Sequence, residues 1–343
     1  LDQENRIYDT VYFGGGTPSL LGADNVALIL SHIRMTENCE VTLECNPSDT
    51  GGKDSAFDFK KAAQSGVNRI SLGLQSAVDT ERKALGRRGG CGDVERAIAR
   101  AKAAGITNIS LDLMLGIPNQ TRESLLESVE FCKNSGATHV SAYILKIEEG
   151  TFFHKKRDSL ILPDDDETSE LYLEAVKALE AAGFAQYEIS NFSKEGFESR
   201  HNLKYWNCEE YLGFGVSAHS YFNGSRFAFT PDREKYCRAI EVPGSPICLT
   251  VENEAVEERE RLGEYIMLRF RLNEGLDTRE FIRRFGTSFD ALYGHKLTRF
   301  LKGGYMTYRD GKYALTPQGM FVSNYILSEI LEFEDFGKYM FGN

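Results

Sequence analysis

Thr10-Val11-Tyr12-Phe13-Gly14-Gly15-Gly16-Thr17-Pro18-Ser19 reads as a short strand that runs straight into three glycines. Consecutive glycines let the backbone approach a ligand closely and turn its N–H groups towards it. No Gly-Lys-Ser/Thr follows, so this is not a phosphate-binding P-loop, and the spacing is not that of a dinucleotide turn. A tight turn without a ligand would produce the same letters, so the reading depends on what surrounds it.

Working outward, the pattern of strand then helix repeats. Strands are expected at Thr10–Phe13, Val41–Glu44, Arg69–Leu74, Asn108–Leu115 and His139–Lys146, with a weaker one near Gln186–Ser190. Helices are expected at Asp24–Ile33, Ser55–Gln64, Val94–Ala103, Arg122–Lys133 and Glu167–Ala181. Strand starts recur about every 30 to 40 residues, the length of a βα unit. The strands are apolar and β-branched, as in a parallel sheet covered by helices. A partial (β/α) barrel and a doubly wound sheet both fit this pattern.

Residues 201–250 are aromatic-rich and irregular. Beyond them helices are expected at Glu252–Arg271, Asp277–Phe285 and Ser288–Leu301. A hairpin over Tyr305–Leu315 is expected to turn at Asp310-Gly311, and a last helix to open at Thr316-Pro317. Helix, helix, hairpin and helix make a small winged-helix-like domain. The expected division is therefore 1–200, 201–250 and 251–343. A wing often means DNA binding, but residues 277–332 carry eight Lys/Arg against six Asp/Glu, which is no basic stripe.

A net charge of −11 disfavours nucleic acid and acidic membrane surfaces. No apolar run reaches the ~20 residues of a membrane helix, and no signal peptide is visible. The seven cysteines (Cys39, Cys45, Cys91, Cys132, Cys208, Cys237 and Cys248) are scattered, as in a reducing cytoplasm. Asp164-Asp165-Asp166-Glu167 could pass for a metal site but suits the start of a helix better. Glu252–Glu264 reads as a solvated helix face.

Polar residues stand at or near the carboxyl ends of the later strands: Glu44, Gln75 and Asp112, with Arg87 twelve residues after Gln75. In a parallel α/β architecture those ends face one side, so the four can converge on one cleft. A carboxylate inside an apolar strand is costly unless it is paired or bound. For Asp112 a salt bridge to a neighbouring arginine is the simpler alternative.

Taken in order, the motifs are Phe13–Ser19, Glu44-Cys45-Asn46-Pro47, Gly66–Ser76, Leu85-Gly86-Arg87 and Asp112–Thr121. Together they resemble the radical S-adenosylmethionine (SAM) barrel of the oxygen-independent coproporphyrinogen oxidase family, from about Ile7 to Leu327. The resemblance implies a partial (β/α) barrel of about six parallel strands with a smaller C-terminal domain. It implies that Gly15, Gly16 and Thr17 hold the amino-acid part of SAM, and that Glu44, Gln75, Arg87 and Asp112 line the rest of the site. Lys146, after Ala142-Tyr143-Ile144-Leu145, would approach the adenine through its backbone. In the family a reduced [4Fe–4S] cluster cleaves SAM to a 5′-deoxyadenosyl radical, and the protein supplies position and exclusion of water. The cluster's C-x3-C-x2-C motif stands before the Gly-rich strand, so its cysteines are expected before Leu1 and none of the seven is expected to be a ligand.

His201-Asn202-Leu203-Lys204-Tyr205-Trp206 is followed by two more aromatic clusters and His219. Histidine suits haem iron and aromatic rings suit a porphyrin face, although packed core aromatics would look the same. The stretch resembles the His-Asn-x-x-Tyr-Trp mark of the family's haem-chaperone subgroup. It implies haem as cargo at His201, Asn202, Tyr205 and Trp206, with His201 as iron ligand and His219 a weaker second. Haem-accepting respiratory proteins are then the expected partners, with transient membrane association and a cytoplasmic location. The alternative is an oxidase that converts coproporphyrinogen propionates to vinyl groups.

Overall fold

The computed structural model describes residues 6–52, 57–150, 152–157, 160–241 and 249–331. The chain divides into two compact units, one ending at His201 and the other running from Asn202.

The first unit is built on one sheet. Its strands are β1 (Tyr8–Phe13), β2 (Met35–Cys45), β3 (Arg69–Gln75), β4 (Asn108–Leu115), β5 (His139–Ile144), β6 (Ala185–Glu188) and β7 (Asn191–Ser193). They lie in the order β1-β2-β3-β4-β5-β7-β6. The first five are parallel neighbours in chain sequence, without the reversal of strand order that marks a doubly wound sheet. The weak strand expected near Gln186–Ser190 is an antiparallel pair, β6 and β7, closing one side of the sheet.

The register explains why the sheet curls into a half barrel. Ile70, Leu72 and Leu74 on β3 and Ile109, Leu111 and Leu113 on β4 fall on one face, almost wholly excluded from solvent. The intervening residues fall on the other face. There Glu44 pairs across to Ser71, Ser71 to Ser110, Ser110 to His139, and Gly73 to Asp112 and on to Ser141. A doubly wound sheet would be apolar on both faces. One apolar and one polar face fit helices outside and a cleft inside.

The connecting helices start and stop where local chemistry dictates. Thr121 caps Arg122–Ser135, which ends at the left-handed Gly136. The Asp164 side chain accepts from the Glu167 N–H while Glu167 accepts from the Asp164 N–H, so that acidic run is a capping box opening Asp165–Ala181. Of the helix expected over Ser55–Gln64, Phe59–Gln64 is seen, and Ser55 lies outside the described residues.

The second unit holds two small antiparallel sheets. One comprises β8 (His219–Phe222), β9 (Ser225–Phe229) and β10 (Thr250–Ala255), in the order β10-β9-β8. The other comprises β11 (Leu276–Asp277), β12 (Met306–Arg309) and β13 (Lys312–Leu315). The Asp310-Gly311 turn joins β12 to β13 with both residues at positive φ, 52° and 82°. Thr316 caps the helix Pro317–Phe321 through the Gly319 N–H. The helix expected from Glu252 begins at Glu258 instead, because Thr250–Ala255 is drawn into a ladder with β9. Strand pairing there overrides a charged sequence that is locally helix-like. Nor is Glu252–Glu264 one solvated helix face: Gly263 is buried and Glu264 pairs with Arg226.

Candidate functional site

The polar face of the sheet carries the cleft residues. Glu44 accepts a hydrogen bond from the Tyr12 hydroxyl at 2.8 Å, and Asp112 accepts one from the Ser71 hydroxyl at 2.9 Å. Asp112 is thus held by a neutral donor, and among the described residues it makes no ion pair with arginine. Burial, with Glu44 nearby, pushes its pKa up to about 6, against the Ser71 hydrogen bond and the charges of Arg69 and Arg87. Tyr12 is pushed upward as well, by burial and by the Glu44 charge it faces.

Gln75 ends β3 at φ 67°, a left-handed conformation that a non-glycine residue adopts only when its surroundings hold it. Two groups do so. The Tyr143 hydroxyl donates to its Oε1 at 2.9 Å. The buried Arg82 guanidinium donates to the carbonyls on either side, those of Leu74 and Ser76, and to that of Gly89. A side chain at Gly73 would meet the Gln75 amide nitrogen at 2.7 Å and lie 3.9 Å from Arg87. A larger residue there would push the Gln75 amide off its position over the rim.

Gly15 and Gly16 are left-handed, at φ 77° and 67°, with open space where a side chain would stand. The Thr17 carbonyl accepts the first turn of the short helix Pro18–Leu21. The structure therefore brings Glu44, Gln75, Arg87 and Asp112 to one polar face, with the glycine turn at the end of neighbouring β1. Lys146 lies beyond β5, half exposed, and pairs with Glu148 at 3.0 Å. Tyr12, Ser71, Tyr143 and Arg82 escaped the sequence reading. Tyr12 and Ser71 could have been found from strand alternation, which puts both on the face of Glu44 and Asp112.

His201 belongs to the same unit. Its ring stacks on Tyr12, with centroids 5.1 Å apart and planes at 27°. Its Nδ1 shares a 2.9 Å hydrogen bond with the Thr10 hydroxyl, and its backbone N–H donates to Glu40 at 2.9 Å. Glu40 also accepts from the Arg200 N–H, so a carboxylate sits at the start of the helix Arg200–Trp206. Tyr12 thus joins the histidine to the cleft carboxylate Glu44.

Asn202, Tyr205 and Trp206 follow in the same helix but belong to the second unit. Tyr205 meets Tyr211 edge to face at 4.7 Å, and Arg271 lies 5.2 Å over the Trp206 ring. The Trp206 Nε1 is buried, with no hydrogen-bond partner among the described residues. His219 is exposed, its Nδ1 on the Ser217 carbonyl.

A sulfonium nucleoside carries positive charge, ribose hydroxyls and an amino-acid group. Carboxylates on neutral donors, an amide and open backbone at two left-handed glycines fit those groups. Among the described residues no trio of His, Cys, Asp or Glu is placed to hold a metal ion, and no helix is long and apolar enough to cross a membrane.

Known proteins are similar to this chain in sequence and in fold. The Radical SAM superfamily pattern matches residues 1–132, and that of the HemN C-terminal domain matches residues 256–322. The Heme chaperone HemW of Bacillus subtilis (strain 168) is 34% identical over 329 residues, covering 94% of this chain and 85% of that protein. The Heme chaperone HemW of Escherichia coli (strain K12) is 33% identical over 334 residues, covering 96% and 85%. Among solved structures, the Escherichia coli coproporphyrinogen III oxidase HemN, a radical SAM enzyme, superposes with a TM-score of 0.79 at 17% identity, over 95% of this chain and 78% of that one. That last likeness concerns the fold alone.

Proposed function

Because this chain belongs to the HemW family of haem chaperones within the radical SAM superfamily, we propose that it binds haem and passes it to haem-accepting respiratory proteins in the cytoplasm or at the membrane surface. SAM is the second ligand, held in the cleft of the half barrel. Gly15, Gly16 and Thr17 take its amino-acid group, Glu44 and Asp112 its hydroxyls and positive charge, and Gln75 and Arg87 the remaining polar edge. The Lys146 backbone meets the adenine. Members of the superfamily use SAM together with a [4Fe–4S] cluster, which supplies the electron for radical chemistry. The roles assigned to this chain's residues concern how SAM is bound and positioned.

The observation that carries the proposal is the stack of His201 on Tyr12, whose hydroxyl donates to Glu44. It supports the reading by linking His201 through one side chain to the cleft carboxylate. The Thr10 hydrogen bond to Nδ1 holds the ring in place from that side. Support for haem as cargo comes from relatives named haem chaperones over nearly their whole length. The coproporphyrinogen oxidase reading has only a shared fold behind it.

Haem titration of the full chain tests this. His201→Ala is expected to lose the Soret shift of the bound state and to weaken haem binding about tenfold or more, the worth of one metal–ligand bond among several contacts. An unchanged spectrum and affinity in His201→Ala would remove the proposed site.

A further inference from the structure

The second unit contains a cavity of about 640 Å³, within the usual range for small-molecule sites. Its walls combine two kinds of group. Tyr205, Tyr211, Tyr265 and Phe285 supply flat aromatic surface. Four arginines, Arg226, Arg261, Arg271 and Arg284, face two glutamates, Glu209 and Glu264.

That leaves two positive charges in surplus. Of the ion pairs seen among the described residues, Lys204 on Glu209 and Glu280 on Arg284 offset each other. Cys208, also in the wall, stays a neutral thiol, its pKa pushed up to about 11 by burial. Tyr205 stays neutral in the same way, at about 12.

The arginines are arranged around rings. Arg226 lies 5.6 Å over Tyr221 while pairing with Glu264, and Arg284 lies 4.9 Å over Tyr265. Arg271 covers Trp206. Arg261 makes no ion pair among the described residues and is exposed at the wall. Guanidinium planes above aromatic faces hold their charge forward while their flat sides pack. A flat, largely apolar ligand bearing two carboxylates would meet both features at once.

We propose that this cavity is a porphyrin seat, in which the aromatic walls pack against the macrocycle and the arginine surplus, Arg261 foremost, binds its two carboxylates. The inference rests on the haem-carrying reading and adds to it a grip on the organic part of the cargo that is independent of iron. Nothing in the seat requires a metal, so a metal-free porphyrin dicarboxylate binds it too.

The experiment uses the full chain and three probes: haem, metal-free protoporphyrin IX and the dimethyl ester of protoporphyrin IX. Trp206 is the only tryptophan in the chain and stacks under the cavity residue Arg271, so its emission reports the seat directly. Both dicarboxylates are expected to quench it, and Arg261→Glu to weaken both by about tenfold or more, the scale of a charge-assisted contact. Arg261→Lys should stay within about threefold of the unaltered chain, because the charge is kept while the fork is lost. The ester should bind at least about tenfold more weakly than the acid to the unaltered chain, a readout that needs no substitution.

Equal affinity of acid and ester, together with haem binding that ignores Arg261→Glu, would overturn the seat; loss of that haem binding in His201→Ala would still support haem carriage. The converse result separates the two ideas in the other direction. A chain that fails to bind haem, yet is quenched by metal-free protoporphyrin in an Arg261-dependent way, keeps the seat and removes haem as its cargo.

Discussion

In the half barrel the carboxylates of Glu44 and Asp112 are held by neutral hydroxyls, those of Tyr12 and Ser71. In the C-terminal unit, Arg226, Arg271 and Arg284 lie over the rings of Tyr221, Trp206 and Tyr265. In the first, burial makes negative charge on Asp112 costly, which suits a cationic or hydroxyl-rich ligand. The second keeps positive charge comfortable on the faces of aromatic rings and ready for an anion. The two proposed sites thus have opposite appetites.

The largest expected effect breaks the comparison by destroying one side of it. Phe281 is wholly buried and rests on Phe285 and Phe289, with centroids 4.9 and 5.2 Å away. Phe281→Ala should cost the C-terminal unit about 3–5 kcal/mol, a large share of the 5–15 kcal/mol typical of a domain. Calorimetry should then show an early transition with a red shift of Trp206 emission, while SAM affinity stays within about twofold. A parallel collapse of SAM binding would show that the two sites do not stand apart.

The next effect sharpens the barrel side. Asp112→Asn should weaken SAM binding by about 1.5–3 kcal/mol, the range for hydrogen bonds involving a charged group, measurable by titration calorimetry. Its raised pKa gives the sign of the pH dependence. In the empty protein, ionising Asp112 costs stability as pH rises from the ordinary carboxylate value of 3.8 to about 6. A cationic ligand favours the ionised form, so SAM affinity should rise as pH climbs through about 6 and then level off. In Asp112→Asn that rise should disappear; if it persists, another group controls it.

The smallest effect concerns the link to His201. Tyr12→Phe keeps the ring under the histidine and removes the donor to Glu44. SAM affinity should fall by about 1 kcal/mol, the net worth of one hydrogen bond, with the haem Soret spectrum unchanged. A changed Soret spectrum would mean that the hydroxyl, and not only the stack, sets the state of His201.

Much of this was legible in the sequence wherever a local rule decided the outcome. β4 begins and ends at Asn108 and Leu115 as expected, since an apolar run with a helix on either side has few alternatives. The Asp310-Gly311 turn and the Thr316 cap followed from residue types that suit those conformations. Periodicity left half barrel and doubly wound sheet open, because the choice depends on strand order and on which face is polar; the half barrel implied by the family resemblance is the one found. β10 was misread because Thr250–Ala255 becomes a strand only through its partner β9. Glu44, Gln75 and Asp112 were visible as polar letters at strand ends. Alternation puts Tyr12 and Ser71 on the same face, but only cross-strand register pairs them with Glu44 and Asp112, and Tyr143 with Gln75.

Arg82 hides beneath the rim on a helix, Asp79–Ala84, whose letters look like ordinary surface. By fastening the backbone on both sides of Gln75 it sets the shape of the proposed SAM site without being one of its lining residues. Damage there would pass for a defect in ligand recognition. A genetic screen for chains that no longer take up SAM should therefore return position 82 alongside the carboxylates, and a catalogue limited to residues near the nucleoside would have no explanation for it.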